Sequence, residues 1–299
     1  MDNKNIKKNI LITGTTGYLG SYILNSLFDL KDYHLIILKR SFSNTFRIDK
    51  VINQVVYYDV DKHGLEKVFE ENKIDIILHC ATDYGRKVIN PMQMIESNLI
   101  LPVKLLELGR KNNVSVFINT DTILDKRISH YSLSKKQFRD WLSSYKNDLV
   151  CINVELEHFY GPGDDKTKFV SYILDLLLKE VDKIDLTLGE QKRDFVYVED
   201  AVSAFLKILS NLSNLEKGFH SFQICSGQEI TIKDLVLKLK NITGNKSTIL
   251  NFGALPYREN EIMSITSDSS RIKEFGWKIV YNLDIGLKKM VEEESKNLR

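Results

Sequence analysis

The stretch ILITGTTGYLG, running from Ile10 to Gly20, decides the fold. Its first four residues read as a strand, and Gly14, Gly17 and Gly20 then follow at the spacing G-x-x-G-x-x-G before a helical pattern begins. Glycine at these places lets the chain turn sharply, brings backbone N–H groups close to a pyrophosphate and lets helix pack on strand. The helix N-terminus adds partial positive charge and unpaired amides that favour the same anion. A glycine triplet alone is weak evidence. Here it opens a strand-turn-helix-strand unit, the context that dinucleotide binding requires. The loop residues expected to face a cofactor are Gly14, Thr16, Gly17, Tyr18, Leu19 and Gly20, against the plainer alternative of a purely structural turn.

Outward from that loop, short β-branched runs alternate with helical periods as far as residue 155. Strands are expected at Asn9 to Thr13, His34 to Lys39, Gln54 to Tyr58, Asp75 to His79, Ser115 to Asn119 and Leu149 to Val154. Helices are expected around Tyr18 to Phe28, Leu65 to Asn72, Met92 to Lys111 and Ser132 to Tyr145. The near-continuous apolar strands suit a parallel sheet buried on both faces, so the fold class is α/β, a doubly wound Rossmann-type sheet. After Tyr160 a Gly-Pro-Gly turn and shorter mixed elements begin a smaller, interleaved substrate region. It carries a helix at Lys168 to Glu180, a strand pair at Ile184 to Leu188 and Phe195 to Val198, and a helix from Ala201. Further elements follow at Phe219 to Cys225, Ile232 to Asn241 and in the tail from Asp284. The boundaries read as 1–156 plus 194–225 for the dinucleotide domain and 157–193 plus 226–299 for the other.

Composition narrows the function classes. The 299 residues, 43% hydrophobic, can bury a full core, and 42 Lys plus Arg against 40 Asp plus Glu leave a charge of only +2. No concentrated basic stretch interleaved with aromatics supports nucleic-acid binding, so any bound anion must be held locally. Cys80, Cys151 and Cys225 lie in separate apolar runs and read as reduced, buried thiols. No Cys or His cluster has metal-ligand spacing, so no metal is expected, and His63, His79, His130, His158 and His220 are scattered singly. No apolar run approaches the ~18 residues of a membrane span, and Asn9 to Ile12 is too short for a signal core. The expectation is a soluble cytoplasmic protein with no membrane partner.

At the end of the second strand, where an NAD-binding fold would place a carboxylate on the ribose, the sequence reads Leu38-Lys39-Arg40-Ser41. Two cations and a hydroxyl suit a 2′-phosphate, which favours NADP(H) over NAD(H). The alternative is that Lys39 and Arg40 are solvated residues at a strand end. Asp59 and Val60 follow the third strand at the adenine position, and Ala81 and Thr82 follow the fourth beside the nicotinamide half.

Tyr131-Ser-Leu-Ser-Lys135 sets a phenol and an ammonium one turn apart on one helix face. A nearby cation stabilises tyrosinate, so the phenol can exchange a proton with a carbonyl or alcohol near neutral pH. Alone, Y-x-x-x-K is usually a solvated helix face. Its place after the glycine loop and a strand ending Asn119-Thr120-Asp121-Thr122 raises it.

With those motifs in order, the sequence resembles the extended short-chain dehydrogenase/reductase family, in its nucleotide-sugar epimerase, dehydratase and reductase branch. The resemblance covers nearly the whole chain, through TGTTGYLG, VFINTDT, YSLSK, HFYGPGDD at 158–165, QKRDFVYVEDAV at 191–202 and PYRENEI at 256–262. It implies that Tyr131 is the acid-base group and that Lys135 lowers its pKa and holds the nicotinamide ribose. Thr122, with Thr120 as next choice, would hydrogen-bond the sugar oxygen, and Asn98 would support the site from both the cofactor and substrate sides. On the sugar-nucleotide side it implies Asp83, Asn98, Thr122, His158, Lys168, Phe169, Arg193 and Arg258. The two arginines would take the diphosphate, whose oxygens a guanidinium fork can bond in pairs. The plainer alternative for Arg193 is a salt bridge to Asp194 or Glu199. Two departures stand out: only eight positions separate Thr122 from Tyr131, and Glu155 and Glu157 stand near a family arginine. For these glutamates, partnership with a basic residue and contact with substrate hydroxyls remain open.

The resemblance is greatest to CDP-linked deoxysugar 4-ketoreductases of the CDP-abequose and CDP-paratose synthase type. That implies NADPH-dependent reduction of a 4-keto nucleotide-diphosphate deoxysugar for bacterial surface glycans, by a homodimer. One alternative is a 4-epimerase or 4,6-dehydratase with tightly bound NAD, although a dehydratase would carry Glu where Thr122 stands. Another, of a different class, is a non-catalytic NADP(H)-binding sensor or scaffold, against which the intact Tyr131 and Lys135 argue.

Overall fold

The computed structural model describes residues 7–85, 90–259 and 261–296. The N-terminal residues 1–6 and Asn260 of the PYRENEI run lie outside the described residues. Regular structure begins with β1 (Lys8–Thr13), α1 (Tyr18–Leu30), β2 (Tyr33–Lys39), β3 (Val56–Asp59), α2 (Leu65–Glu71) and β4 (Ile76–His79). It continues through α3 (Pro91–Ile95), α4 (Leu101–Lys111), β5 (Val116–Thr122), α5 (His130–Ser144), β6 (Val150–Leu156) and β7 (His158–Tyr160). Then come α6 (Phe169–Leu178), β8 (Lys183–Leu186), β9 (Lys192–Tyr197), α7 (Val198–Ser210), β10 (Gly218–Ile224) and β11 (Glu229–Thr231). Last are α8 (Ile232–Thr243), β12 (Ile249–Phe252), α9 (Ser270–Glu274) and α10 (Leu283–Lys296).

Two compact units emerge, residues 1–155 with 204–222, and residues 156–203 with 223–299. The main sheet has seven strands in the order β10-β6-β5-β4-β1-β2-β3. The β1, β2, β3, β4 and β5 pairings are parallel, with Ile10 opposite both Leu35 and Ile76. The order reverses between β1 and β4, the switch point at whose strand ends doubly wound sheets bind ligands. Leu11, Ile36, Ile77 and Phe117 fill one face of the sheet with Leu105, Phe138 and Leu142, all buried. This is the doubly wound sheet that the alternating apolar runs predict.

Two local departures matter. The helix expected over Met92 to Lys111 is interrupted by a π-helical turn, Glu96–Ile100, between α3 and α4. Pro102 supplies the cause: it lacks the N–H that would reach the Asn98 carbonyl, so the Leu101 amide reaches back to Glu96 and the turn widens. β5 also runs on to Thr122, three residues beyond the expected Asn119, because its polar end is satisfied by neighbouring elements instead of solvent.

In the second unit, the strands expected as a pair do not pair. β9 lies parallel to β7 and antiparallel to β11, while β8 pairs in parallel with β12. Each strand takes a partner distant in sequence, which local alternation cannot show. Asp200 accepts from the amides of Val280 and Tyr281, and the buried Trp277 indole donates to the Asp200 carbonyl at 3.0 Å, pinning the chain that leads to α10.

Candidate active site

The glycine loop is built for close approach. Gly14 adopts φ +71°, and a Cβ there would sit 2.4 Å from the Ala81 nitrogen at the end of β4. A Cβ on Gly20 would meet the Gly14 carbonyl oxygen at 2.2 Å, so α1 can start this close to β1 only without a side chain. Gly17 caps α1; no side chain bonds to that helix end and no acidic residue lies in its first turn. A first turn without an acidic side chain suits a phosphate at the amides that begin the helix. Thr16 is half-buried, and the buried Thr15 hydroxyl has no hydrogen-bond partner among the described residues.

Thr13 fixes the other wall. Its Oγ1 accepts from the amides of Cys80 and Ala81, so its own proton goes to His79 Nδ1 at 2.8 Å. His79 is buried against Phe117 and Phe138. Burial, and then the Lys135 charge, hold its pKa well below the ordinary value, so it packs as a neutral ring. Thr82 follows Ala81, and Asp83 is clamped by Asn98. The Asn98 side chain accepts from the Asp83 amide at 2.8 Å and donates to its carbonyl at 2.8 Å and to Ser134 Oγ at 3.0 Å. Asn98 sits in the π-helical turn, so the widened turn delivers the amide that joins the 81–85 loop to α5.

α5 begins with a capping box in which Ser129 and Ser132 satisfy each other's backbone amides, a motif worth about 1 kcal/mol. That start places Tyr131 in the first turn, its ring centroid 4.9 Å from that of Tyr84. Lys135, one turn on, is 1% exposed. Its Nζ has no hydrogen-bond partner among the described residues. Burial brings its pKa down from 10.5 to about 8, with the charge of Asp121 opposing that fall and that of Lys136 adding to it. A buried ammonium lacking partners is costly unless a ligand supplies them. The hydroxyls of a nicotinamide ribose are acceptors of the required kind, so the residues present fit that group.

Thr120 and Thr122 share one face of β5 and are equally buried. The Thr120 hydroxyl donates to the His79 carbonyl at 3.1 Å, whereas the Thr122 hydroxyl accepts from the Leu124 amide at 3.3 Å. Thr122 thus keeps a proton to give.

At the β2–β3 corner the expected phosphate ligands have protein partners. Lys39 Nζ lies 3.5 Å from Asp59, and Arg40 Nε donates to Asp61 at 2.7 Å. Ser41 gives its hydroxyl to Asp59 and its amide to Asp61. Burial pushes the Asp59 carboxyl up, but the Ser41 hydroxyl, the Asp61 amide and Lys39 outweigh it and hold the group below its usual range. The Val60 amide bonds the Lys39 carbonyl, closing the corner.

The second unit holds the remaining candidates. Arg193 does not pair with Asp194 or Glu199: its guanidinium bonds the carboxylate of Glu261 and the carbonyls of Lys192 and Ile262. Asp194 instead accepts from the amides of Ser226 and Gly227, and Glu199 takes Lys289. Lys168, preceding α6, pairs with Asp164 at 3.0 Å and lies over the Phe159 ring. Phe169 is partly exposed and Arg258 is exposed. His158 Nδ1 lies 3.1 Å from Glu157, whose other oxygen is buried with no partner among the described residues. Glu155 has basic partners, Lys136 at 3.2 Å and Arg139 at 3.0 Å.

Lys136 belongs to no motif of the sequence. Its Nζ donates to the Thr122 carbonyl at 2.6 Å, to Asp121 at 3.1 Å and to Glu155 at 3.2 Å. Adjacent to Lys135 in sequence, it reads as part of an ordinary basic helix face, and only the fold shows three acceptors meeting it. Among the described residues no group of acidic, His or Cys side chains could hold a metal ion, and no helix is long and apolar enough to cross a membrane.

A model of the NAD dependent epimerase/dehydratase family matches residues 10–225. A CDP-abequose synthase of Salmonella muenchen is 33% identical over 295 residues, covering 96% of this chain and 98% of the relative. One from Salmonella typhimurium is 31% identical over 300 residues, again with 96% and 98% covered. A UDP-glucose 4-epimerase of Thermotoga maritima, solved with UDP-glucose, superposes with a TM-score of 0.82 at 26% identity, over 97% of this chain and 100% of that one. A Thermus thermophilus UDP-glucose 4-epimerase complexed with NAD shares the fold, with a TM-score of 0.80 at 20% identity over 95% of this chain and 98% of that one.

Proposed function

Because the chain belongs to the NAD-dependent epimerase/dehydratase family, we propose that it is a nucleotide-sugar enzyme whose reaction is NADPH-dependent reduction of a 4-keto deoxysugar. The observation that carries this reading is Lys135, a buried ammonium with no hydrogen-bond partner among the described residues, one helical turn from Tyr131. The two CDP-abequose synthases, similar over almost the whole chain, support the substrate class. A bound nicotinamide dinucleotide would supply the hydride.

The chain's own residues account for the rest. Tyr131 delivers a proton to the sugar oxygen as negative charge develops there, and Lys135 makes the phenol acidic enough to do so. The unspent proton of Thr122 steadies the same oxygen, and a preorganised donor of this kind needs no rearrangement during reaction. The loop from Gly14 to Gly20 takes the pyrophosphate, and Ala81 with Thr82 lines the nicotinamide side. The adenosine end falls to Lys39, Arg40, Ser41, Asp59 and Val60. On the substrate side Asp83, Asn98, His158, Lys168, Phe169, Arg193 and Arg258 are the proposed contacts. Of these, Arg258 is the freest cation for a diphosphate, since Arg193 and Lys168 already hold carboxylates. We assign residues 1–156 with 194–225 to the cofactor domain and the remainder to the substrate region, in a cytoplasmic homodimer serving surface-glycan synthesis. Exposed Met92, Leu133 and Trp141 on the helices around α5 support dimerisation; sedimentation as a monomer at micromolar concentration would refute it.

The Lys39–Asp59 and Arg40–Asp61 pairs favour a second reading, an epimerase that recycles tightly held NAD, because they already neutralise both cations. The experiment that separates the two is a panel of CDP-, dTDP-, GDP- and UDP-linked 4-keto deoxysugars assayed with NADPH and with NADH. Stoichiometric oxidation of NADPH, greatest with the CDP-sugar, is the expected result. Interconversion of 4-hydroxy sugars with no net cofactor oxidation would overturn the proposal.

A further inference from the structure

We propose that Lys136 is a positioning residue of the proposed reaction, holding the end of β5 against α5 so that the Thr122 hydroxyl stands in fixed register with Tyr131. The inference rests on the catalytic reading of Tyr131 and Thr122 given above.

The geometry is specific. Lys136 lies one residue beyond Lys135 on α5, yet the two amines have opposite environments. Lys135 is buried with no hydrogen-bond partner among the described residues, whereas Lys136 has an acceptor for each of its three N–H bonds. One of those acceptors is the backbone carbonyl of Thr122 itself, at 2.6 Å. The second, Asp121, has a fully buried side chain, and its carboxylate also accepts from the Thr122 amide at 2.7 Å and from Asn153 at 3.0 Å. Both backbone polar groups of Thr122 are therefore tied, directly or through Asp121, to one ammonium on the helix that carries Tyr131. The third acceptor, Glu155, comes from β6 and is also paired with Arg139, one turn along α5. The ladder continues inward, where Asn119 donates to Asn153 at 2.8 Å.

The short connection explains the need. Only eight residues separate Thr122 from Tyr131, and Asp125 turns that loop by accepting from the Arg127 amide and side chain at its exposed tip. That loop joins strand to helix with Ile123, Leu124 and Ile128 only partly buried, while the buried contacts of β5 with α5, through Phe117, Phe138 and Leu142, are apolar and set no hydrogen-bond register at Thr122. Lys136 reaches across the base of the loop and sets that register through charge-assisted bonds in a poorly solvated place, where they are stronger than in water. A displacement of about 1 Å between reacting groups can cost about 10²-fold in rate, so this constraint is of catalytic size.

The electrostatics give a second signature. The Lys136 charge helps to lower the Lys135 pKa, and Asp121 acts to raise it. Removing the Lys136 charge alone lets Lys135 stay protonated to higher pH, with Asp121 no longer neutralised. The titratable groups that bear on this corner include Asp121 from β5, Glu155 from β6, His79 at the end of β4 and Cys80 after it, and Lys135, Lys136 and Arg139 from α5.

The test uses the whole protein with a turned-over 4-keto nucleotide sugar, comparing Lys136→Met, Lys136→Arg and Tyr131→Phe with the parent. Lys136→Met is expected to lose about 10²-fold in kcat, with KM and cofactor Kd within about threefold, and to shift the alkaline limb of the pH profile upward. Lys136→Arg, which keeps a cation able to bond the same acceptors, restores most of the rate. Should Lys136→Met not fold because Asp121 is left alone, Lys136→Met with Asp121→Asn removes both charges and the kcat loss is again expected. A folded variant of either kind with kcat within threefold of the parent overturns the inference, as does a loss carried in KM; in Lys136→Met alone, where only the charge that lowers the Lys135 pKa is removed, an unmoved alkaline limb overturns it as well. Tyr131→Phe separates the two levels: if it retains activity, the reading of the site fails, whereas an inactive Tyr131→Phe beside a fully active Lys136→Met fails the positioning role alone.

Discussion

Two corners of the main sheet treat their cations in opposite ways. Where β5 meets α5, Lys135 is buried and has no hydrogen-bond partner among the described residues. Where β2 meets β3, Lys39 and Arg40 each face a carboxylate, from Asp59 and Asp61. A buried charge without partners destabilises the protein alone and is tolerable where a ligand completes it, whereas a cation already paired with a carboxylate asks nothing of a ligand. On the proposed function, the first corner is therefore the one that would hold the nicotinamide end and the reaction, and the second would only bias which cofactor enters. Predictions about the first should be large and those about the second modest.

The largest effect is expected at Tyr131. Steady-state kinetics of Tyr131→Phe should show kcat lower by about 10² to 10⁴, the usual share of an acid-base group, and a loss below tenfold would detach the phenol from the chemistry. Next comes the burden of Lys135. Its pKa is lowered to about 8, so the cost of burying its charge is full below pH 8 and fades as pH rises toward the unfolded value of 10.5. At about 1.36 kcal/mol per unit, Lys135→Met should stabilise the ligand-free protein by up to about 3 kcal/mol near pH 7 while abolishing turnover. Denaturant melts at pH 7 and pH 10 check this; an advantage that failed to shrink at the higher pH would contradict the assigned environment.

Smaller, but sharper, is the contrast between the two threonines of β5. Thr122→Val should lower kcat by about 10²-fold with little loss of stability, as the removal of one oxyanion donor does. Thr120→Val, which deletes the bond to the His79 carbonyl, should cost about 1 kcal/mol in a thermal melt and less than tenfold in rate. The reverse pattern would move the donor to Thr120. The smallest effect belongs to the β2–β3 corner, where Arg40→Ala is expected to raise the KM for NADPH by about tenfold and leave that for NADH unchanged. An equal rise for both would mean that Arg40 serves the corner's own ion pair.

The sequence displays the first corner well because its chemistry is local. Glycine spacing after a strand, and Tyr131 and Lys135 within one helical turn, are short-range patterns whose structural context repeats predictably. The polar end of β5 is less legible: the apolar run marks the strand only to Asn119, and Thr120-Asp121-Thr122 continue it because β4, β6 and α5 provide their bonds. Arg193 shows the same limit: adjacent Asp194 looks like its partner, but the backbone amides of Ser226 and Gly227 take that carboxylate and Glu261 supplies the pair. The π-helical turn at Asn98 was readable in principle from Pro102, four residues on. Glu155 required the fold, because its partners Lys136 and Arg139 lie on an element that local spacing does not bring near it.

The central claim is most directly tested by following the hydride. With NADPH deuterated at the transferable position of the nicotinamide and a nucleotide-linked 4-keto deoxysugar, the account predicts one deuterium on the new carbinol carbon for each NADP⁺ formed, and none with Tyr131→Phe. A product free of label, or one formed without net oxidation of the dinucleotide, would contradict it.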